Sequence, residues 1–368
     1  MKNKNLIFIL LLVFAVMTGC TSPANNSQTI EETAEATEPE VQEAATEREI
    51  TDMAGRIITI PAEIDMVFSC NPISAIYLYT LVPDQLLGWN YELNDVEKSI
   101  ILEKYHSLPD FGMGDSINYE TVIAANPTIA LNVSTIREGS VQEADELQEK
   151  LGIPVIVVDS NLESVANAYR FLGELFAVEA QAEQLASYAE NTFNDIANMD
   201  ISEEEKVTIY YGNGEDSLET AVSGSSHGAI VEMVNARNIA DMELGDGSRV
   251  SISAEQLLAW NPDVIIVNGE PKMNISGNFA AENLLNNPDF KTLNAVENGM
   301  VFGTPNAPFS WVDRPPGPNR IIGMRWLAKI IYPEYLNYDL NEEVRQFFEL
   351  FYHVELSDEQ LHELIGAF

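Results

Sequence analysis

The sequence predicts an α/β protein of two similar lobes joined by one long helix, and three observations carry that reading. After residue 50, short β-like runs alternate with helical stretches, the pattern of a layered α/β fold. A segment also recurs in register: Glu120-Thr-Val-Ile-Ala-Ala-Asn126-Pro127-Thr-Ile-Ala-Leu131 matches Glu255-Gln-Leu-Leu-Ala-Trp-Asn261-Pro262-Asp-Val-Ile-Ile266, 135 residues later. A repeat at that distance implies two lobes, because a solenoid repeats every 20–50 residues or so. Third, Glu179–Met199 is apolar at Ala182, Leu185, Ala186, Ala189, Phe193, Ile196 and Ala197. Spacings of three and four over that length describe a single amphipathic helix of about 30 Å.

At the N-terminus, Lys2 and Lys4 precede twelve apolar residues, Leu6 to Met17, and then Thr18, Gly19 and Cys20. A membrane span needs roughly 20 residues, so residues 1–20 read as a secretory signal. The ending Met17-Thr18-Gly19-Cys20 resembles the lipobox of bacterial lipoproteins, whose cysteine carries the lipid. Residues 21–49 hold eight glutamates and no aromatic residue, a composition that cannot bury a core and reads as an acidic tether. The expected body then divides into an N-terminal lobe at 50–178, a joining helix at 179–200 and a C-terminal lobe at 201–368. Expected strands are Ile57–Ile60, Met66–Ser69, Ile129–Val133, Val155–Val158, Val207–Tyr211, Val264–Val267 and Met300–Phe302. In the repeat, each helix ends at Asn-Pro because proline cannot continue it. Asn118 and Ser253 are the expected N-caps, which puts Glu120 and Glu255 at the second helical position, where a carboxylate favours the helix dipole.

Composition excludes several functions. The 58 Asp+Glu against 19 Lys+Arg give a formal net charge of −39 in 368 residues, which repels phosphate backbones and argues against nucleic acid. There is no GxxxxGK[ST] phosphate loop. The two cysteines cannot form a disulfide framework, and with Cys20 lipidated only the Cys70 thiol is left.

Ligands of open α/β lobes bind outside the carboxyl ends of the strands, so two facing lobes define a cleft. From the N-terminal lobe the loops Cys70–Ser74, Trp89–Tyr91 and Phe111–Asp115 should face it. Tyr211–Asp216, Ser223–Gly228, Asn268–Met273 and Asn306–Arg320 should face it from the other side. Rings at such mouths suit planar ligands, and arginine binds carboxylate or catecholate oxygens bidentately. Trp89, Tyr91, Trp311, Arg314 and Arg320 are therefore the candidate ligand-binding residues, although lobe packing and salt bridges are the alternative uses of the same side chains. His227, at a helix start facing the cleft, is a candidate ligand for iron, cobalt or nickel, although a lone histidine more often serves as a helix-terminal hydrogen-bonding residue. Met113 on the opposite loop would supply a second axial ligand to a haem. Cys70 reads as a buried structural thiol, and His106, His353 and His362 read as surface residues.

The motifs Thr51-Asp52-Met53-Ala54-Gly55-Arg56 with Thr59-Ile60-Pro61, Leu108-Pro109-Asp110 with Asn118-Tyr119-Glu120, and Leu151-Gly152-Ile153-Pro154-Val155 resemble the bacterial cobalamin and iron-siderophore ABC-transporter substrate-binding proteins. So do Ser223-Gly-Ser-Ser-His227-Gly-Ala-Ile-Val-Glu232, Trp311-Val312-Asp313-Arg314 and Asn319-Arg320-Ile321-Ile322. The resemblance covers residues 50 to 368. It implies two Rossmann-like lobes on a rigid helix, no intrinsic cofactor and no enzymatic activity. It also implies a ferric siderophore or corrinoid as ligand, with haem or a nickel complex as the alternative, held by an extracytoplasmic, lipid-anchored monomer. Delivery would be to a permease dimer driven by an ATPase, with Glu120 and Glu255, one acid per lobe, engaging permease arginines. Gly114 and the proline-rich 315–318 run depart from the pattern of the cobalamin-binding members. An enzyme on this scaffold would need converging His, Cys and carboxylate groups, and His227 is alone in its loop. A ligand sensor is a further reading.

Overall fold

The computed structural model describes residues 46–243, 249–269 and 272–366; Cys20, the signal segment and nearly all of the expected tether lie outside them. The folded body begins before residue 50, within the end of the segment that composition assigns to a tether. Glu47–Thr51 is a strand, paired antiparallel with Ile57–Pro61 so that Ile50 faces Ile58. Arg48 and Ile50 alternate inward between exposed glutamates, so a period of two organises residues that composition alone assigns to a tether. The turn between these strands is the Thr51–Arg56 motif, and its role is structural. Asp52 accepts from the Val157 N–H at 3.2 Å, and buried Arg56 donates to Val155 O at 2.8 Å and to Asp145 at 2.9 Å.

The N-terminal lobe holds a three-stranded parallel sheet, Val67–Ser69, Ile129–Ser134 and Val155–Asp159, with the second strand in the middle. Its apolar residues are buried on both faces, as in a parallel sheet covered on both sides. The C-terminal lobe repeats this order with Thr208–Asn213, Val264–Val267 and Val301–Gly303, all parallel, and adds short strands at one edge. In each lobe the first strand pairs with the second and the second with the third.

The internal repeat is structurally faithful. Helices Tyr119–Ala124 and Ala254–Trp260 are capped by Asn118, accepting from Thr121 N–H, and by Ser253, accepting from Gln256 N–H. Both end on an asparagine in the left-handed region, Asn126 at φ 52° and Asn261 at φ 45°. The residue after each proline ties its lobe's first strand, since Thr128 accepts from Met66 N–H and Asp263 from Thr208 N–H. Asparagine tolerates this backbone better than a residue without a local hydrogen-bonding side chain. We therefore expect Asn126→Ala to cost about 1 kcal/mol and Asn126→Gly to cost nothing, read from the midpoints of denaturant unfolding. An alanine variant as stable as the parent would refute the assignment.

Glu179–Ala197 is the joining helix. It packs closely on Val165–Phe176, where a Cβ on Gly173 would lie 2.5 Å from that of Ala182. Arg170 clamps the pair through Glu183 and Glu190. The C-terminal segment does not stay in its own lobe. Leu340–Phe347 and the π-helical Phe348–Tyr352 return to the joining helix and to the N-terminal lobe. Tyr188 OH donates to Glu343 O at 3.2 Å, and the Tyr169 and Phe351 rings meet edge to face at 5.7 Å. His353 is half-buried against Tyr79 rather than on the surface, with Nε2 3.2 Å from its carbonyl. One continuous core thus spans both lobes and the helix between them. That continuity limits lobe closure to small movements.

Candidate ligand site

The carboxyl ends of both sheets face each other across a cleft divided into two chambers. The dividing wall is where Asn71-Pro72-Ile73, opening the first helix, meets Arg314-Pro315-Pro316: Pro72 and Pro315 line one chamber, Asn71, Ile73 and Pro316 the other. Asn71 fixes its side of the wall by capping the helix, accepting from Ser74 N–H at 3.0 Å while donating to Asn132 and Val133. Behind the wall Gly317 packs on Ile76, which a Cβ would approach to 3.6 Å.

The larger chamber, about 670 Å³, is lined by hydroxyl side chains and two carboxylates around one guanidinium. Arg320, 4% exposed, bridges the lobes, donating to Ser160 O at 3.4 Å and to Ser226 O at 3.3 Å. Burial lowers its pKa from the ordinary arginine value. Of the carboxylates, Glu232 is committed to its own loop, accepting from Ser223 Oγ and Gly224 N–H.

The smaller chamber, about 360 Å³, carries three cationic side chains against one carboxylate: Arg249, Lys272, Arg314 and Glu97 line it with Tyr91, Met113 and Phe309. Lys272 Nζ reaches across the cleft to lie 5.2 Å above the Tyr91 ring, within cation–π range. Tyr91 OH donates to Glu97 at 2.8 Å, and that carboxylate also accepts from Asn94 N–H. Burial pushes the Glu97 carboxyl above its ordinary value, against the pull of these hydrogen bonds. Below Arg249 and Arg314 lies Asp313, 0% exposed. Its Oδ1 is hydrogen-bonded to His227 Nδ1, and its Oδ2 lies 3.5 Å from Arg314 Nε and 3.7 Å from Arg249 Nη2. A neutral network adjoins it: Asn268 donates to Tyr211 OH at 3.0 Å and accepts from Thr304 Oγ1, and Asn306 donates to Asn268 O. Burial, reinforced by the Asp313 charge, holds the Tyr211 hydroxyl well above the usual phenol range, so it stays protonated.

Four of the seven expected ligand-binding residues take their places in the cleft: Tyr91, Met113 and Arg314 in the smaller chamber, Arg320 in the larger. Three do not. Trp89, 4% exposed, turns into the core, where Nε1 donates to Tyr105 O at 2.8 Å. Trp311 is 0% exposed and donates to Ala307 O while packing against Phe348. Both indoles find a polar partner inside the protein, which is what makes their burial favourable. His227 lines neither chamber; its Nδ1 is engaged by Asp313. Among the described residues no three His, Cys, Asp or Glu side chains gather as a metal site. The Cys70 thiol is buried and pushed up to about 12, and it lines neither chamber. Glu120 and Glu255 are both exposed, at the second position of their helices. Sequence reading missed Arg249, Lys272 and Asp313. Lys272 lay within an expected cleft loop, and Asp313 within the quoted Trp311–Arg314 motif. Arg249 follows an acidic stretch with no motif to mark it.

Two α/β lobes on a shared helix, with a divided cleft between them, define a bilobal solute-binding protein. The chain belongs to the periplasmic binding protein family, whose sequence profile matches residues 82–308. It is accordingly a binding protein, not an enzyme. It is 25% identical over 342 residues to the molybdate-binding protein MolA of Haemophilus influenzae, spanning 84% of this chain and 92% of that one. The high-affinity heme uptake system protein IsdE of Staphylococcus aureus strain Newman is 27% identical over 211 residues, 56% of this chain and 69% of its own length. Among solved structures, an ABC transporter solute binding protein from Sulfurospirillum deleyianum superposes with a TM-score of 0.77 at 25% identity, over 87% of this chain and 99% of that one.

Proposed function

We propose that this chain captures an anionic metal species outside the cytoplasm, anchored through Cys20, and hands it to an ABC permease dimer that it engages through Glu120 and Glu255. The observation that carries the proposal is local charge. In a chain of net charge −39, three cationic side chains, against the single carboxylate of Glu97, line one interlobe chamber of about 360 Å³. Converging cations with low-dielectric walls focus a field strong enough to reverse the long-range repulsion of an anion. The volume sits near the lower end of the roughly 300–1,000 Å³ of small-molecule pockets, which suits an oxyanion or a compact ferric chelate. The similarity to MolA supports the first of these. A corrinoid finds less support, because the two tryptophans that would have flanked it are core residues. Haem is the second reading, favoured by the partial likeness to IsdE and by the Met113 side chain on the chamber wall.

The test is a titration of the intrinsic tryptophan fluorescence with molybdate, ferric citrate, a ferric catecholate, haemin and cyanocobalamin. Saturable one-to-one binding of an anionic metal species at micromolar concentration or below is the expected result. Binding of cyanocobalamin alone would overturn the anion reading, and a Soret shift with haemin alone would establish the second reading.

A further inference from the structure

We infer that Asp313 is the counter-ion that sets how strongly the smaller chamber attracts an anion, and that His227 influences the ligand only by holding that carboxylate. The inference rests on the anion reading above and deepens it. Asp313 has no exposed surface, yet two guanidinium groups stand 3.5 and 3.7 Å from its Oδ2 without closing on it. Well-made arginine–carboxylate pairs are bidentate at roughly 2.7–2.9 Å. Among the described residues, Asp313 Oδ2 and Arg249 Nε are both buried without a hydrogen-bond partner. Glu219 is 3.7 Å from Arg249 on its other side and half-exposed. Arg249 is thus held at the chamber wall by charge, between Asp313 and Glu219, rather than locked by a hydrogen bond to the acid beneath it, and Arg314 approaches the same carboxylate oxygen at 3.5 Å. An entering anion is attracted by the arginines and repelled by Asp313. His227, bonded to Oδ1, keeps that oxygen from the guanidinium groups.

Two substitutions should therefore act with opposite signs. Asp313→Asn removes the opposing charge, so anions should bind more tightly. His227→Phe keeps a ring but deletes the donor, freeing the carboxylate to pair with Arg249 and Arg314, so anions should bind more weakly. A purely structural role predicts a loss, or no change, in both. The experiment is calorimetric titration of the purified full-length chain with sodium molybdate at fixed ionic strength, with folding checked by circular dichroism. Expected results are an affinity about tenfold higher for Asp313→Asn and about threefold lower for His227→Phe. Glu219→Gln, removing a solvated charge, should shift it less than about threefold. Equal or weaker molybdate binding by folded Asp313→Asn overturns the inference. If that variant does not fold, an affinity within twofold of the parent for His227→Phe overturns it. Indifference of the unmodified chain to molybdate and to every other anion is a separate outcome: it removes the anion reading itself and the inference with it.

Discussion

Substituting glutamine for both Arg249 and Arg314 should lower the affinity for an anionic metal species by about 10²–10⁴-fold while leaving the lobes folded. A hydrogen bond to a charged group is worth about 1.5–3 kcal/mol, and two such losses sum to about 3–6 kcal/mol, or two to four decades in Kd. Both arginines keep part of their side chain in solvent, 17% and 44%, so glutamine retains much of the packing of the stem. The substitution leaves Asp313 with His227 as its neighbouring donor, and some thermal stability is lost with the two cations. Unfolding midpoints separate that loss from the binding defect. The measurement is the same calorimetric titration, using whichever anion the fluorescence panel identifies. An affinity within threefold of the parent would place the ligand elsewhere, and the larger chamber around Arg320 would become the site to test.

How far the sequence foretold this site depended on whether a residue's surroundings were local. Strands were legible because Val155–Val158 and Val264–Val267 are wholly apolar, as parallel strands buried on both faces must be. The two-lobe plan was legible because each Asn-Pro needs the same left-handed stop before the same central strand. Glu47–Thr51 was illegible because its order comes from a partner strand, and glutamates on its outer face mimic a solvated tether. The return of Leu340–Tyr352 to the N-terminal lobe is a long-range packing event that local periodicity does not encode. In the site, chain position identified the loops but not the direction of each ring. Trp89 and Tyr91 lie two residues apart in one loop, and only the tyrosine faces the chamber. A similar limit hid Asp313. It was quoted within its motif, yet its role comes from His227 and Arg249, 86 and 64 positions earlier in the chain, and no spacing rule joins them.

Reversing the charge at both Glu120 and Glu255 should abolish uptake in cells while leaving ligand affinity within twofold of the parent. Neither residue lines a chamber of the cleft. Both project from the first turn of helices that start at matching positions of the repeat and end in the same left-handed asparagine. A carboxylate in a first turn is worth only about 0.3–1 kcal/mol, so two lysines there cost the fold little. Such a bland role accounts for each acid alone; it does not account for a pair on equivalent faces of two lobes. A permease dimer with one arginine surface per subunit would read that pair, which is the use the family resemblance implies. Each reversal turns an attraction into a repulsion, and like charges brought together at an interface cost several kcal/mol. Ile123, half-exposed one turn beyond Glu120, adds apolar contact area of the kind found at interface centres. Single reversals should give intermediate uptake, because one lobe would still dock. The assay compares accumulation of the identified metal species in cells carrying parent or doubly reversed chains, with Kd measured in parallel on purified protein. Uptake at parental levels with both charges reversed would remove these acids from the docking surface. A matching fall in affinity would place them in the ligand site instead.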